Sequence, residues 1–363
     1  MKVLFLANIP SPYRVDFFNE LGKYCELTVL FEKEKADNRE WKTLECTNFN
    51  CVFLRGIKIS SDTSLCFNVI EYLKKDYDFI IIGGYSTPTG MLAIEYLRHK
   101  RKKFILSADG GIIKSEKRSV FFIKRHFIKS ASWWLSTGQI TTEYFIHYGA
   151  NKGRIYTYPF SSVRNYQVNS EIVTGYKKTI LKEKFGMNTD KAIVSVGQFI
   201  YRKGFDILLK AASDLPENIS LYIIGGQPTK EYLEILKNMN YKNIYFKPFM
   251  QNKDLFDFFS VCDLFVLPTR EDIWGLVVNE ALACGLPVVT TDKCVAGVEL
   301  IENDINGMII QSENIDELRS SIKKMLNRSI DKGQIKKTVK KYTIEEMAKE
   351  HIRILKKIKE QLE

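Results

Sequence analysis

The stretch Pro268-Thr269-Arg270-Glu271-Asp272-Ile273-Trp274-Gly275-Leu276-Val277-Val278-Asn279-Glu280-Ala281-Leu282-Ala283-Cys284-Gly285-Leu286-Pro287 decides how this chain is read. It follows a short apolar run at 264–267 of the kind that forms a buried strand. An acidic turn comes next, and a helix is predicted from about 275 to 284. Gly285 then stands at the position where helices end in the left-handed conformation, and Pro287 opens a further strand at 288–290. Strand, turn, helix and strand in this order form the unit of a doubly wound sheet. Asp272 before the helix and Glu280 inside it can reach one ligand from two sides. Backbone N–H groups around Trp274, Gly275, Leu276 and Val277 would face an anion such as a diphosphate. Glu280 can accept two hydrogen bonds from vicinal hydroxyls, as a ribose offers. An ordinary N-capping acid and a surface glutamate fit the same letters.

A second strand-to-helix turn reads Ser195-Val196-Gly197-Gln198-Phe199-Ile200-Tyr201-Arg202-Lys203-Gly204-Phe205-Asp206. Here cations and helix amides can converge on a diphosphate, although a basic loop without a ligand has the same composition. Near the N-terminus, Asn8-Ile9-Pro10-Ser11-Pro12-Tyr13-Arg14 follows the first strand. Arg14, close to a helix start, suits an anion contact as well as a solvated first turn. Ser107-Ala108-Asp109-Gly110-Gly111 ends another strand. Asp109 can orient a hydroxyl or receive a proton, and a tight turn needing Asp and Gly accounts for the same residues.

These motifs sit in a regular alternation. Strands are expected at 3–7, 27–31, 79–82, 104–106 and 133–135, with helices at 15–23, 89–98 and 120–129. A polar, aperiodic stretch at 159–176 reads as a connection. A fresh start follows, with strands at 192–196, 221–224, 244–246, 264–267 and 288–290 and helices at 204–212, 316–326 and 344–362. Thr343 and Glu346 form a capping box for the last helix. The 363 residues suit two domains. Two Rossmann-like domains leave a cleft at the carboxyl ends of their strands, where open α/β sheets bind ligands.

The net charge of +11 is uneven, for residues 1–165 hold 25 Lys and Arg against 16 Asp and Glu. That excess points to an anionic partner without choosing among nucleic acid, a membrane face and a phosphorylated substrate. Seven cysteines without C-x-x-C spacing argue for a reducing compartment, and so for the cytoplasm, and against a disulfide framework or a zinc site. The four histidines lack metal-ligand spacing. No apolar run reaches the roughly 18–20 residues that span a bilayer. The first residues read as a buried strand, not a signal peptide. Residues 114–129 mix bulky apolar side chains with six cations, a composition suited to an anionic membrane surface or to a helix packing its Phe residues on the sheet.

Taken whole, 268–287 closely resembles the donor-site motif of glycosyltransferase family 4, in which two glutamates separated by seven residues precede a small-residue helix and Gly-x-Pro. Glu280 falls on the second glutamate, which in that family holds the donor ribose. Asp272, one methylene shorter, takes the place of the first, with Glu271 before it. The resemblance leaves open which of these acids meets the sugar. The stretch 195–206 is similar to the family's Gly-Arg-Leu and Lys-Gly string, which neutralises the leaving diphosphate. Gly197 and Lys203 match, Gln198 replaces the Arg, and Arg202 is the candidate compensating cation. The turn with Ser11, Tyr13 and Arg14 resembles the loop that meets the acceptor and the donor phosphates.

The resemblance implies a GT-B fold, an α/β arrangement of two Rossmann-like domains with parallel sheets facing across a cleft. Residues 1–165 plus 345–363 would form the acceptor side, with the last helix crossing back, and 166–344 the nucleotide-sugar side. It implies retaining transfer from a UDP- or GDP-sugar, UDP ahead of GDP, to a hydroxyl of a glycan or lipid-linked saccharide. Polysaccharide or cell-envelope assembly is the implied setting. Asp109, Asp272 and Lys203 are the catalytic candidates. Gly197, Gln198, Arg202, Glu271, Trp274, Gly275, Leu276 and Glu280 are the donor-binding ones, with no cofactor and no metal. An epimerase of the same fold and a non-catalytic sugar-nucleotide-binding protein are the alternatives. A dinucleotide oxidoreductase lacks its G-x-G-x-x-G after the first strand, and no nucleic-acid module is present.

Overall fold

The computed structural model describes residues 1–35, 45–239 and 241–363. Two compact units divide the chain, Met1–Ser161 with Tyr342–Glu363 and Ser162–Lys341. In the first, β1 (Lys2–Ala7), α1 (Pro12–Leu21), β2 (Glu26–Phe31) and β3 (Asn50–Phe53) lead to a small hairpin of β4 (Ile57–Lys58) and β5 (Ser64–Leu65). Next come α2 (Val69–Leu73), β6 (Phe79–Ile82), α3 (Pro88–His99), β7 (Ile105–Ser107) and α4 (Arg118–Lys129). β8 (Trp133–Ser136), α5 (Gln139–His147) and β9 (Ile155–Thr157) complete the alternation.

The second unit opens with α6 (Asn165–Val168) and α7 (Gly175–Phe185), then β10 (Lys191–Val196), α8 (Phe205–Ala212) and β11 (Ile219–Ile224). α9 (Lys230–Lys237), β12 (Ile244–Lys247), α10 (Asn252–Val261), β13 (Leu264–Leu267) and α11 (Leu276–Ala283) follow. β14 (Val288–Thr291), α12 (Val295–Leu300), β15 (Gly307–Ile310), α13 (Ile315–Leu326) and α14 (Lys332–Thr338) close it. The last helix, α15 (Ile344–Glu360), belongs to the first unit and packs on α1.

Both large sheets are parallel, in the orders β3-β2-β1-β6-β7-β8-β9 and β12-β11-β10-β13-β14-β15. Their middle strands are covered on both faces, which is why β6 (Phe-Ile-Ile-Ile) and β13 (Leu-Phe-Val-Leu) are apolar at every position and fully buried. β3, β9 and β15 lie outside the expected strands. β3 and β9 are edge strands of three or four residues with little burial, so they lack the apolar run that marks a central strand. α7 lies outside the expected helices and buries none of its residues, so it lacks the apolar face that marks a helix in sequence. The expected capping box at α15 is half made. Thr343 accepts from the Glu346 N–H at 3.3 Å, while the Glu346 carboxylate pairs with Lys349.

Order within the sheets fixes where ligands can sit. β1 pairs with β2 on one side and β6 on the other, and β10 pairs with β11 and β13. At each of these places the chain winds away in opposite directions, and the loops leaving the strand ends diverge. Open α/β sheets bind ligands at such divergences.

Candidate functional site

In the second unit the two motif loops leave neighbouring strands, β10 and β13, and touch. Gly204 has φ +68, and a Cβ there would lie 2.1 Å from the Pro268 carbonyl oxygen. Glycine therefore fits twice over, by conformation and by space. The Arg270 N–H donates to the Arg202 carbonyl at 2.8 Å, and Thr269 Oγ1 reaches the same oxygen at 2.8 Å. Arg270 fixes the next turn with a two-pronged pair to Asp206 at 2.9 and 2.7 Å, its guanidinium 3.8 Å from the Tyr201 ring centroid. Burial opposes the Asp206 charge, but Arg270 outweighs it and holds that carboxyl below its usual range.

This frame brings Arg202, Lys203 and Asp272 together. Lys203 Nζ donates to Asp272 Oδ2 at 2.5 Å, and Arg202 Nη1 stands 3.5 Å from Oδ1. Arg202 Nη1 also donates to the Glu271 carbonyl at 2.8 Å. The Lys203 stem runs across Gly197, where a Cβ would be 3.2 Å from it. The Asp272 backbone is pinned, its N–H on the Lys293 carbonyl at 2.9 Å and its carbonyl receiving the Val295 N–H at 3.2 Å. Gly275 caps α11 with φ +98 and no side-chain cap. A Cβ there would lie 2.8 Å from Cys294 Sγ and 3.6 Å from Asp272 Cγ, so the Asp272 carboxylate stands beside the start of α11.

Glu280 lies one helical turn beyond Leu276, on the same face. Ser162 Oγ donates to its Oε1 at 2.8 Å. Burial pushes the Glu280 carboxyl up to about 7, with the Ser162 hydrogen bond pulling the other way. Trp274 is turned inward, 3% exposed, with its indole N–H on Asn279 Oδ1 at 2.8 Å. Its side chain supports the loop from within. Gln198 and Glu271 are half-buried, and Gln198 brings no charge.

The other candidates lie in the first unit. Asp109, after β7, takes Tyr13 on one oxygen at 2.9 Å and Arg14 on the other at 2.5 Å. Arg14 is 6% exposed, and its guanidinium lies 5.7 Å from the Phe5 and Tyr13 ring centroids. Burial, then the Asp109 charge, raises the Tyr13 phenol above its usual range, so it remains a donor. Ser11 is buried at the start of α1 and makes no side-chain cap. Behind this cluster, His351 of α15 packs between Phe17 and Tyr158, ring centroids 4.7 and 4.3 Å away. Burial pushes it down to about 4 against the opposing bond from Met347, with Arg14 adding to the fall. Among the described residues no three His, Cys, Asp or Glu gather as metal ligands.

Residues 177–355 match the family model of glycosyl transferases group 1. An uncharacterized glycosyltransferase of Methanocaldococcus jannaschii is 29% identical over 192 residues, 50% of this chain and 48% of its own length. The lipopolysaccharide glucosyltransferase WaaG of Escherichia coli is 23% identical over 207 residues, 55% and 54% of the two chains. Across the first four curated relatives the match takes in about half of their own length or less, from 34% to 48%. A glycosyltransferase of Rickettsia africae superposes with TM-score 0.75 at 15% identity, covering 98% of both chains. The Anabaena protein HepE in complex with UDP gives 0.73 at 18% identity, over 100% of this chain and 99% of its own. At these identities the likeness carries the fold, which is GT-B.

Reasoning from sequence missed Ser162, the partner of Glu280, and the Arg270–Asp206 pair that holds the two loops. Ser162 lay in the stretch read as a connection, where nothing distinguishes one serine from another. Arg270 and Asp206 stand inside quoted motifs, but only the adjacency of β10 and β13 makes them partners. His351 is one of the four histidines that lack metal-ligand spacing. It is buried because its face of α15 covers α1, a long-range contact that its own periodicity does not reveal.

Proposed function

We propose that this protein is a retaining glycosyltransferase of family 4 type, moving a hexose or hexosamine from a UDP-sugar to a hydroxyl of a glycan or lipid-linked saccharide. The observation that carries the reading is the convergence of Lys203, Arg202 and the uncapped start of α11 at the divergence of β10 and β13, with Glu280 on the same helix. Such a place binds a diphosphate, and Glu280 is then the ribose acceptor. In the step proposed, the bond from the anomeric carbon to the diphosphate breaks and a bond from the acceptor oxygen forms on the same face. The acceptor proton passes to the departing diphosphate, whose growing charge Lys203 and Arg202 stabilise. The UDP-bound neighbour and the glucosyltransferase relative support the donor class, and the lipopolysaccharide relative supports cell-envelope assembly.

The second unit is assigned the nucleotide-sugar and the first the acceptor. The decisive experiment is thermal stabilisation by UDP, GDP, their glucose conjugates and NAD, on wild type and Glu280→Ala, followed by turnover with the stabilising donor. Stabilisation by a uridine nucleotide that Glu280→Ala abolishes is expected. Stabilisation by NAD alone would end the reading.

A cytoplasmic site at an anionic membrane face is part of the same proposal. α4 buries only Ile128 and exposes Val120, Phe122 and Ile123 among its cations. No helix among the described residues is long and apolar enough to cross a membrane. Co-sedimentation with phosphatidylglycerol vesicles, lost in Phe122→Ser with Ile123→Ser, is expected. Equal sedimentation of the double variant would remove α4 from the account.

A further inference from the structure

We propose that Asp272 is a resident anion, which occupies the phosphate position in the free protein and is exchanged for the donor's diphosphate, its carboxylate then turning to the sugar. The inference rests on the donor reading above and deepens it. Three features that attract an anion meet at the Asp272 carboxylate: Lys203 on Oδ2, Arg202 toward Oδ1, and the start of α11 beside Cγ. Those are the same features that make the place fit for a diphosphate. Both carboxylate oxygens face a cation, so in this state the side chain has its acceptors turned to Lys203 and Arg202 rather than to a sugar hydroxyl.

Local mechanics permit the exchange. The Asp272 backbone is held on both sides by the 293–295 segment, so only its short side chain has to turn. Arg202 is 41% exposed at its side chain and can pivot, whereas Lys203, at 12%, has its stem laid across Gly197. Gln198 supplies no positive charge, so the same two cations serve the internal anion and the incoming one. Nucleotide affinity is therefore held down by competition, and the sugar meets a released carboxylate only once the diphosphate has arrived. Free hexoses, which bring no anion, leave the pair closed.

Titration calorimetry with UDP, GDP and UDP-glucose tests this on wild type, Asp272→Asn and Lys203→Gln. Asp272→Asn is expected to bind UDP about fivefold more tightly, because Lys203 and Arg202 no longer face a competing internal anion, and to lose the wild-type difference between UDP and UDP-glucose. Lys203→Gln is expected to lose UDP. Thermal unfolding without ligand checks each fold, and Asp272→Ser removes the anion by a second route if the Asn variant misfolds. Unchanged or weaker UDP binding in the Asp272 variants, with wild type still dependent on Lys203, would overturn the exchange and leave the donor site standing. Absence of nucleotide binding by wild type would overturn both.

Discussion

Each unit places cations just after its opening strand, Arg14 in the first and Arg202 with Lys203 in the second, and they meet different surroundings. After β1, Arg14 is folded inward against Phe5, with Asp109 as its partner. After β10, Lys203 and Arg202 also meet an aspartate, but that carboxylate stands at the start of a helix, and Arg202 keeps much of its surface in solvent. We infer that the first pair stabilises a loop, whereas the second, on the exchange proposed above, is arranged so that another anion can take the aspartate's place. Most of the net charge lies in the first unit's sequence, yet the geometry suited to a diphosphate lies in the nearly neutral second part. On the proposed reading, strand order and helix ends rather than overall charge mark the anion's place.

The sharpest way to break this comparison is to remove each cation in turn. Lys203→Met is expected to lower turnover roughly 100- to 1000-fold, the loss typical of one group that stabilises a leaving charge, with a smaller fall in the unfolding midpoint than Arg14→Met because Arg202 and the start of α11 still face the Asp272 carboxylate. Arg14→Met should do the reverse, costing about 3 kcal/mol of stability because the part-buried Asp109 charge loses its partner. Turnover by the folded fraction should then fall far less than in Lys203→Met. Chemical denaturation and turnover on the same preparations decide it. A stable Arg14→Met protein that no longer binds UDP-glucose would place Arg14 in the site and erase the contrast.

How much of this was legible in the sequence follows from which interactions are local. The alternation of strands and helices, the helix after Gly275 and its end at Gly285 depend on neighbours within a few residues, and the letters show them. Glu280, Asp272 and Lys203 were singled out because spacing and motif are also local signals. That Asp272 is gripped by Lys203, that Asp109 is gripped by Tyr13 and Arg14, and that Ser162 reaches Glu280 depend on strand order across about 70 to 120 residues. Nothing in either segment encodes its partner. Trp274 is instructive, since a tryptophan inside a ligand motif invites a stacking role, yet it is a core side chain fastened to Asn279.

His351 offers a smaller test of the same contrast, because it buttresses the Arg14 cluster from α15. Its folded value of about 4 lies below the ordinary 6.5. The unfolded chain therefore takes up a proton first as pH falls, and the histidine's contribution is intact above about 6.5 and lost toward 4. Glu32, in the same unit, is pushed up to about 7 by burial, with Thr87 and Ser64 opposing, so its contribution runs the other way, lost as pH rises through that value. The pH curve of wild type alone mixes the two. Compared with His351→Gln, wild type should lose about 2 kcal/mol between pH 6.5 and 5. Parallel stability curves for the two proteins would show that the buried imidazole is not what couples α15 to pH.

The second unit yields the smallest effect, and one of a different kind, in binding. Glu280 has a carboxyl near 7 in the free protein, and the proposed ribose hydroxyls donate to its ionised form. Binding should then favour loss of the proton, and UDP-glucose affinity should rise with pH. If only the carboxylate binds, its population rises about tenfold between pH 6 and 8, which sets the ceiling. UDP-glucose is the suitable probe because its doubly esterified diphosphate does not titrate there, as the terminal phosphate of UDP does. Glu280→Gln should bind more weakly and show a flat profile. A wild-type profile as flat as the variant's would mean that the carboxylate is already ionised or lies off the ribose, and the role of α11 would shrink to its N-terminal turn.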